Sequence, residues 1–92
     1  MSRIKAIAVR ASGRVQGVSF RAWTQSEAQA AGLAGWVRNE ADGTVTAHLE
    51  GRAEDVDAMV AAMHKGPPAA EVHEVTLSDA TPTGATQFEI RA

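Results

Sequence analysis

The spacing of apolar residues alternates between two periods along the chain, and this alternation limits the possible folds more than any other feature. Near the start, Ile7, Val9 and Ala11 repeat at every second position, which predicts a strand. Residues 20–31 are rich in Ala, Gln and Glu and predict a helix, which Gly32 is well placed to end. The first two elements are therefore a strand and a helix.

The middle of the chain has the pattern of a β-hairpin. Residues 36–39 are predicted to form a short strand. Residues 44–50 alternate apolar and polar side chains, which predicts a second strand. Between them lies Asp42-Gly43, a pair that favours a tight turn. The two strands are expected to pair across this turn.

A second helix and two further strands complete the pattern. Four apolar residues at positions i, i+3, i+4 and i+7 form one helical stripe: Val56, Met59, Val60 and Met63. Residues 66–68 read Gly-Pro-Pro and are expected to end this helix. Residues 72–77 predict a fourth strand with a break in phase near residues 73–74, and residues 88–90 suggest a last strand after a turn-rich connection.

The resulting order, β-α-β-β-α-β with a short extra C-terminal strand, predicts an α+β fold. Two helices are expected on one face of an antiparallel sheet, the ferredoxin-like sandwich. The 92 residues are long enough for one core and not for two, so residues 1–92 are predicted to form a single domain. The last strand is expected to cover an otherwise exposed sheet edge.

Composition excludes several classes of site. With no cysteine, the chain has no disulfide, no thiolate metal site and no catalytic thiol. The three histidines are not spaced as metal ligands, and a net charge of −2 is not typical of a protein that binds nucleic acid. The N-terminal apolar run is too short and too interrupted for a signal peptide or a membrane span. A cytoplasmic protein that does not bind membranes is expected.

Residues 13–21 read GRVQGVSFR and connect the first strand to the first helix. Gly13 and Gly17 allow backbone angles at which successive N–H groups can converge on one point, and Arg21 lies within the first helical turn. An anion, above all a phosphoryl group, would be held by such amides and a guanidinium. The alternative is a tight strand-to-helix turn with an exposed arginine.

A second cluster, GWVRN at residues 35–39, ends the strand before the hairpin turn. The Asn39 side chain carries both a donor and an acceptor and can therefore orient a water molecule. An asparagine here can instead cap the turn. Trp36 is expected to be partly buried on a face of the sheet.

Together these two clusters resemble the signatures of the acylphosphatase family, which hydrolyses carboxyl–phosphate mixed anhydrides. The second cluster is followed by Gly43, Val45 and Gly51 at the family's spacing, and residues 65–68 and 88–90 resemble its second-helix exit and final strand. The likeness extends over the whole chain and departs from the family at no site position.

The resemblance implies a role for each site residue. Arg21 matches the family's phosphate-binding arginine and Asn39 its water-positioning asparagine. The phosphate loop corresponds to the backbone amides of Arg14, Val15, Gln16, Gly17 and Val18. The implied substrate is a small acyl phosphate, with inorganic phosphate as product and competitor. A monomer is expected.

The leaving group of an acyl phosphate is a carboxylate, so the enzyme need not supply a strong acid to protonate it. What remains is to stabilise the charge on the phosphoryl oxygens and to orient a water molecule for attack. No carboxylate cluster adjoins the loop, and Glu40 and Asp42 are interpreted as turn residues, so neither metal nor cofactor is expected.

Two other functions fit the same element order. An RNA-recognition module would need aromatic side chains on the open face of the central strands, where Arg10, Thr46 and His48 are expected instead. A non-catalytic anion-binding or regulatory domain would keep the phosphate loop, since acylphosphatase-like domains occur inside larger proteins. Against the latter, the chain is expected to be complete and has both Arg21 and Asn39.

Overall fold

The computed structural model describes residues 3–92 and has the predicted order of elements. The strands and helices are β1 (Ile4–Arg14), α1 (Phe20–Ala30), β2 (Ala34–Asn39), β3 (Val45–Arg52), α2 (Ala53–Lys65), β4 (Glu71–Asp79) and β5 (Phe88–Arg91). Both helices pack against a five-stranded sheet in the order β4-β1-β3-β2-β5. The predicted α+β sandwich is confirmed.

The direction of the last strand makes the sheet mixed rather than wholly antiparallel. Strands β4, β1, β3 and β2 pair antiparallel, as the sequence predicts. β5 instead runs parallel to β2, with Gly35 opposite Phe88 and Val37 opposite Ile90. It covers the edge of β2 as expected, but its short apolar pattern contained no information on its direction.

The hydrophobic core lies between the sheet and the helices. Every second residue of the central strands points into it, among them Val9, Ala11, Ala47 and Leu49, each at most 2% exposed. Burying a side chain of valine or leucine size contributes roughly 1.5–3 kcal/mol, so this face accounts for much of the fold's stability. The stripe predicted on α2 is buried against the same core.

The predicted break in β4 is a bulge. The register of β1 against β4 shifts between Ser12 and Gly13, where Ser12 lies opposite Glu74 and Gly13 opposite Val72. His73 is therefore the extra residue. A Cβ atom at Gly13 would lie 2.3 Å from the Glu71 carbonyl oxygen, and its φ is +113°. Only glycine allows this close approach just before the loop of residues 15–19.

α1 contains one buried polar atom without a partner. The Thr24 side chain is fully buried, and within residues 3–92 its Oγ1 has no hydrogen-bond partner. An unsatisfied buried hydroxyl costs about 1–3 kcal/mol, and Thr and Val have similar helix propensities. We expect Thr24→Val to raise the free energy of unfolding in urea by about 1 kcal/mol with unchanged activity. A loss of stability of that size would show that the hydroxyl is hydrogen-bonded.

The connection from β4 to β5 must reach from one edge of the sheet to the other, and a buried carboxylate on β3 anchors it. Glu50 accepts hydrogen bonds from the backbone amides of Thr83 and Gly84, from the Thr83 hydroxyl and from His48 Nε2. His48 and Glu50 alternate with the core residues of β3 and so lie on the face opposite the helices. The sequence predicts that His48 lies on the face of the sheet away from the helices, and it does. It is nevertheless only 7% exposed, which the sequence did not predict.

Trp36 lies on the same face as His48 and is half-buried, as predicted. The two rings stack with centroids 6.4 Å apart. The guanidinium groups of Arg38 and Arg91 lie 4.9 and 5.2 Å from the Trp36 ring centre. Cation–π contacts of this kind add to the burial of the ring.

Acidification is expected to loosen the connection of residues 80–87. Burial raises the pKa of Glu50, but the hydrogen bonds from Thr83, His48 and the Gly84 amide outweigh burial and hold the pKa below its ordinary value of 4.5. A carboxylate whose pKa is lowered on folding contributes stability that is present above its unfolded pKa and is lost as the pH falls through the folded one. We expect the wild type to be more stable than Glu50→Gln at pH 7.

The difference between the two proteins should begin to shrink below about pH 4.5, the ordinary pKa of this carboxyl in the unfolded chain, and should be lost as the pH falls through its lower pKa in the folded protein. Urea unfolding at several pH values measures this. Because the other carboxylates titrate in both proteins, the difference isolates Glu50. Equal pH dependence in the two proteins would show that Glu50 does not anchor the connection.

None of the helices among the described residues is long and apolar enough to cross a membrane.

Candidate active site

A cavity of about 220 Å³ opens beside the N-terminus of α1. It is lined by Val15, Gly17, Ser19, Phe20, Arg21, Ala22, Asn39 and Ile90. These residues come from the connection between β1 and α1, from the first turn of α1, from the end of β2 and from β5. The cavity therefore forms where three elements and one loop meet.

The start of α1 gives the cavity a positive electrostatic character. The first helical hydrogen bond runs from the Trp23 amide to the Ser19 carbonyl at 3.0 Å, so the amides of residues 20–22 have no acceptor within the helix. The first turn contains no acidic residue that would offset the helix dipole. Free amides at a helix N-terminus favour an anion.

Two buried valines and two residues with left-handed backbone angles constrain the connection of residues 15–19. Val15 and Val18 are buried, at 1% and 9% exposure, and attach the connection to the core. Gly17 and Ser19 have φ values of +73° and +64°. Ser19 is the only non-glycine among the described residues with a positive φ, a conformation that costs about 1–3 kcal/mol and occurs mostly where the surrounding structure requires it.

Arg21 is half-buried in the first turn of α1 and lines the cavity. In the part of the chain that the structure describes, no ion pair or side-chain hydrogen bond engages its guanidinium. The five N–H donors of this group are thus available to a planar or tetrahedral anion.

Asn39 is the last residue of β2, where it pairs with Val45 of β3. It is half-buried and lines the cavity. Within residues 3–92, the side-chain amide of Asn39 makes no hydrogen bond. The alternative that Asn39 caps the turn finds no support, because another residue performs that role. Asp42 accepts hydrogen bonds from the Thr44 amide at 3.0 Å and from the Thr44 hydroxyl.

The acidic residues beside Asn39 stabilise the turn, as predicted. A hydrogen bond from Thr46, and to a smaller extent one from Arg38, holds the pKa of Glu40 below its ordinary value. Hydrogen bonds from the Thr44 hydroxyl and amide likewise hold the pKa of Asp42 below its ordinary value, aided by the charge of Arg10. Both carboxylates are therefore ionised near neutral pH and occupied within the turn, and neither lines the cavity.

The cavity unites some of the sequence-predicted residues and not others. Val15, Gly17, Arg21 and Asn39 line it together. Arg14 is the end of β1 and pairs with Glu71, Val18 is buried, and Gln16 directs its side chain to the turn that follows Asn39. For all five residues of the phosphate loop, the contact of a backbone amide with phosphate stays a prediction.

Four lining residues were not predicted from the sequence: Ser19, Phe20, Ala22 and Ile90. The first three flank Arg21 in the chain, so its place in the first helical turn was a signal for them. Ile90 is 41% exposed and reaches the cavity because β5 lies beside β2. No local sequence signal indicated that pairing.

Within residues 3–92, no three histidine, aspartate or glutamate side chains come together in an arrangement that could hold a metal ion. Among the residues that the structure describes, Arg21 is the one charged residue that lines the cavity. What the arrangement can do chemically is to bind an anion between backbone amides and a guanidinium, with a polar amide group beside it.

Comparison with known proteins identifies the relatives of this chain. A family model described as acylphosphatase matches residues 7–90. An acylphosphatase of Azoarcus sp. (strain BH72) is 49% identical over 88 residues, which cover 96% of this chain and 90% of that protein. The crystal structure of acylphosphatase from Bacillus subtilis is similar with a TM-score of 0.93 and 33% identity, over 98% of this chain and 100% of that one.

A longer protein contains a similar segment. The crystal structure of HypF from T. kodakarensis matches with a TM-score of 0.84 and 30% identity, over 96% of this chain and 12% of that one. The same fold therefore exists both as a short protein and as part of a much larger one.

Proposed function

This chain belongs to the acylphosphatase family, and from that premise we propose how its own residues perform the reaction. Acylphosphatases are hydrolases that act on acid anhydrides and split an acyl phosphate into a carboxylate and inorganic phosphate. The observation that supports the residue assignment is that Arg21 and Asn39 line one cavity at the N-terminus of α1.

The first step is binding of the phosphoryl group. Its oxygens accept hydrogen bonds from the amides of the phosphate loop, Arg14, Val15, Gln16, Gly17 and Val18, and from the guanidinium of Arg21. The helix dipole adds a favourable potential, and within residues 3–92 Arg21 has no ion pair that would have to break first. Because these groups are held in place before binding, little reorganisation is needed as charge shifts in the transition state.

In the second step a water oriented by the Asn39 side chain attacks the phosphorus atom. A P–O bond forms to the water oxygen while the P–O bond to the acyl group breaks, and the carboxylate leaves with the electron pair. Asn39 does not accept the water proton, because an amide is not basic near neutral pH. The proton goes to the phosphate or to solvent. Catalysis is thus positioning and charge stabilisation.

Hydrolysis is proposed to need no metal ion, because the amides and Arg21 already supply positive charge and the carboxylate is an easy leaving group. Release of phosphate from benzoyl phosphate by the purified protein tests the function. Activity should persist in excess chelator. Chelator inhibition that Mg²⁺ reverses would overturn the metal-free mechanism, and no release above that of Asn39→Ala would overturn the assignment of the site.

We also propose that the protein acts as a single-domain monomer in the cytoplasm on a small acyl phosphate, with inorganic phosphate as competitor. The proposed site draws on one copy of the chain, so the reaction as proposed requires no second subunit. The absence of cysteine is compatible with a reducing compartment.

A further inference from the structure

A half-buried glutamine joins the two halves of the proposed site. Gln16 lies in the phosphate loop, but its side chain points away from the cavity toward the turn between β2 and β3. There its Nε2 donates to the carbonyl oxygens of Glu40 at 2.8 Å and of Thr44 at 2.9 Å. A primary amide has two N–H donors, so this group is fully used by the two carbonyls.

The two acceptors already take part in closing the turn. The Glu40 amide donates to the Thr44 carbonyl at 2.8 Å, and the Gly43 amide donates to the Glu40 carbonyl at 3.2 Å. The turn also contains the hydrogen bonds from Thr44 to Asp42. It is therefore closed without Gln16. What Gln16 adds is a direct link between this turn and the phosphate loop.

The link is placed where it affects Asn39. Glu40 follows Asn39 directly in the chain, and Thr44 is the last residue before Val45, the partner of Asn39 across the hairpin. Val15 and Val18 attach the other end of the link to the core. The position of Asn39 relative to the phosphate loop is thus set on both sides of the turn by one side chain.

We propose that Gln16 is a positioning residue, which holds the Asn39 amide at the distance from the bound phosphoryl group that in-line attack by water requires. The proposal rests on the role of Asn39 given above. A misplacement of about 1 Å can slow a reaction by about 100-fold without a comparable loss of binding. Gln16 should accordingly affect turnover more than affinity.

The test is Gln16→Met, which keeps the length of the side chain and removes both donors. We expect kcat for benzoyl phosphate to fall by about 10- to 100-fold, while KM and inhibition by inorganic phosphate change by less than about threefold. Turnover within twofold of the wild type would overturn the proposal, and so would a fall in kcat matched by an equal loss of phosphate binding.

Gln25→Met is the matched control. Gln25 is also a half-buried glutamine whose Nε2 donates to a backbone carbonyl, that of Phe88 at 3.2 Å, and it does not line the cavity. Its replacement should leave kcat within about twofold, whatever its effect on the unfolding midpoint. If both variants lost turnover equally, Gln16 would have only a general structural role. Should Gln16→Met not fold, Gln16→Asn retains the amide but is one methylene shorter, and is expected to show the same loss of kcat.

A double-mutant cycle with Asn39→Ala shows whether Gln16 acts through Asn39. In the Asn39→Ala background, Gln16→Met should lower kcat by less than about twofold, since nothing remains to be positioned. A full additional loss in that background would overturn the proposal. Near-normal turnover of Asn39→Ala alone would overturn both roles, whereas a normal Gln16→Met beside an inactive Asn39→Ala would overturn that of Gln16 alone.

Discussion

Asn39→Ala is expected to lose turnover by about 100- to 1,000-fold, the usual cost of removing one preorganised hydrogen-bonding group from a transition state. The physical reason is that the side chain lies in the cavity, makes no side-chain hydrogen bond within the described chain and is available to a water. The truncation leaves the phosphate loop and Arg21 in place. Steady-state hydrolysis of benzoyl phosphate measures kcat directly.

Binding separates this role from a structural one. The affinity of Asn39→Ala for inorganic phosphate should be within about threefold of that of the wild type. It can be measured as inhibition of the variant's residual activity or as binding in calorimetry. An unchanged kcat would refute the assigned role of Asn39. Loss of phosphate binding together with kcat would mean that Asn39 belongs to the binding half of the site instead.

Arg21→Ala should have the second large effect and a different kinetic pattern. In the described part of the chain, the guanidinium is the one charged group that lines the cavity. Truncating one partner of a charged, hydrogen-bonded pair costs roughly 2–5 kcal/mol. We therefore expect kcat/KM to fall on the order of 1,000-fold and inorganic phosphate no longer to compete. Both are read from inhibition assays with benzoyl phosphate.

Arg52→Ala is the control for the loss of one positive charge. Arg52 ends β3 at the end of the strand away from Val45, which pairs with Asn39, and its ion pairs with Glu54 and Asp55 are exposed. Exposed ion pairs contribute about 0–1 kcal/mol to stability, so the loss of these two should leave the fold intact and the activity within about twofold of the wild type. If inorganic phosphate still competed with substrate in Arg21→Ala, the proposed phosphate-binding role of Arg21 would be wrong.

The order of elements could be predicted because apolar spacing reports which face of each element is buried. Even the bulge at His73 produced a visible change of phase. The direction of β5 could not be predicted, since a strand of four residues pairs wherever the long connection before it ends. The burial of His48 and Glu50 depends on that same connection, which a local pattern does not reveal.

Within the site, Arg21 and Asn39 could be proposed from the sequence because their residue types suit phosphate and water and because the surrounding motifs resemble one family, and both line the same cavity. Ile90 was missed since its approach to the cavity depends on the pairing of β5 with β2. For Gln16 the sequence indicates a role for the backbone amide alone. Its side-chain contacts join segments that are distant in sequence, so the structure was needed to find them.

The most direct test of the mechanism is the position of the oxygen atom that water contributes. Benzoyl phosphate is hydrolysed by the enzyme in water enriched in ¹⁸O, and both products are analysed by mass spectrometry. A site that holds the phosphoryl group beside an Asn39-oriented water predicts attack at phosphorus, with one ¹⁸O atom in inorganic phosphate and none in benzoate. Label in the benzoate would show attack at the carbonyl carbon and would contradict the assigned roles of Arg21 and Asn39.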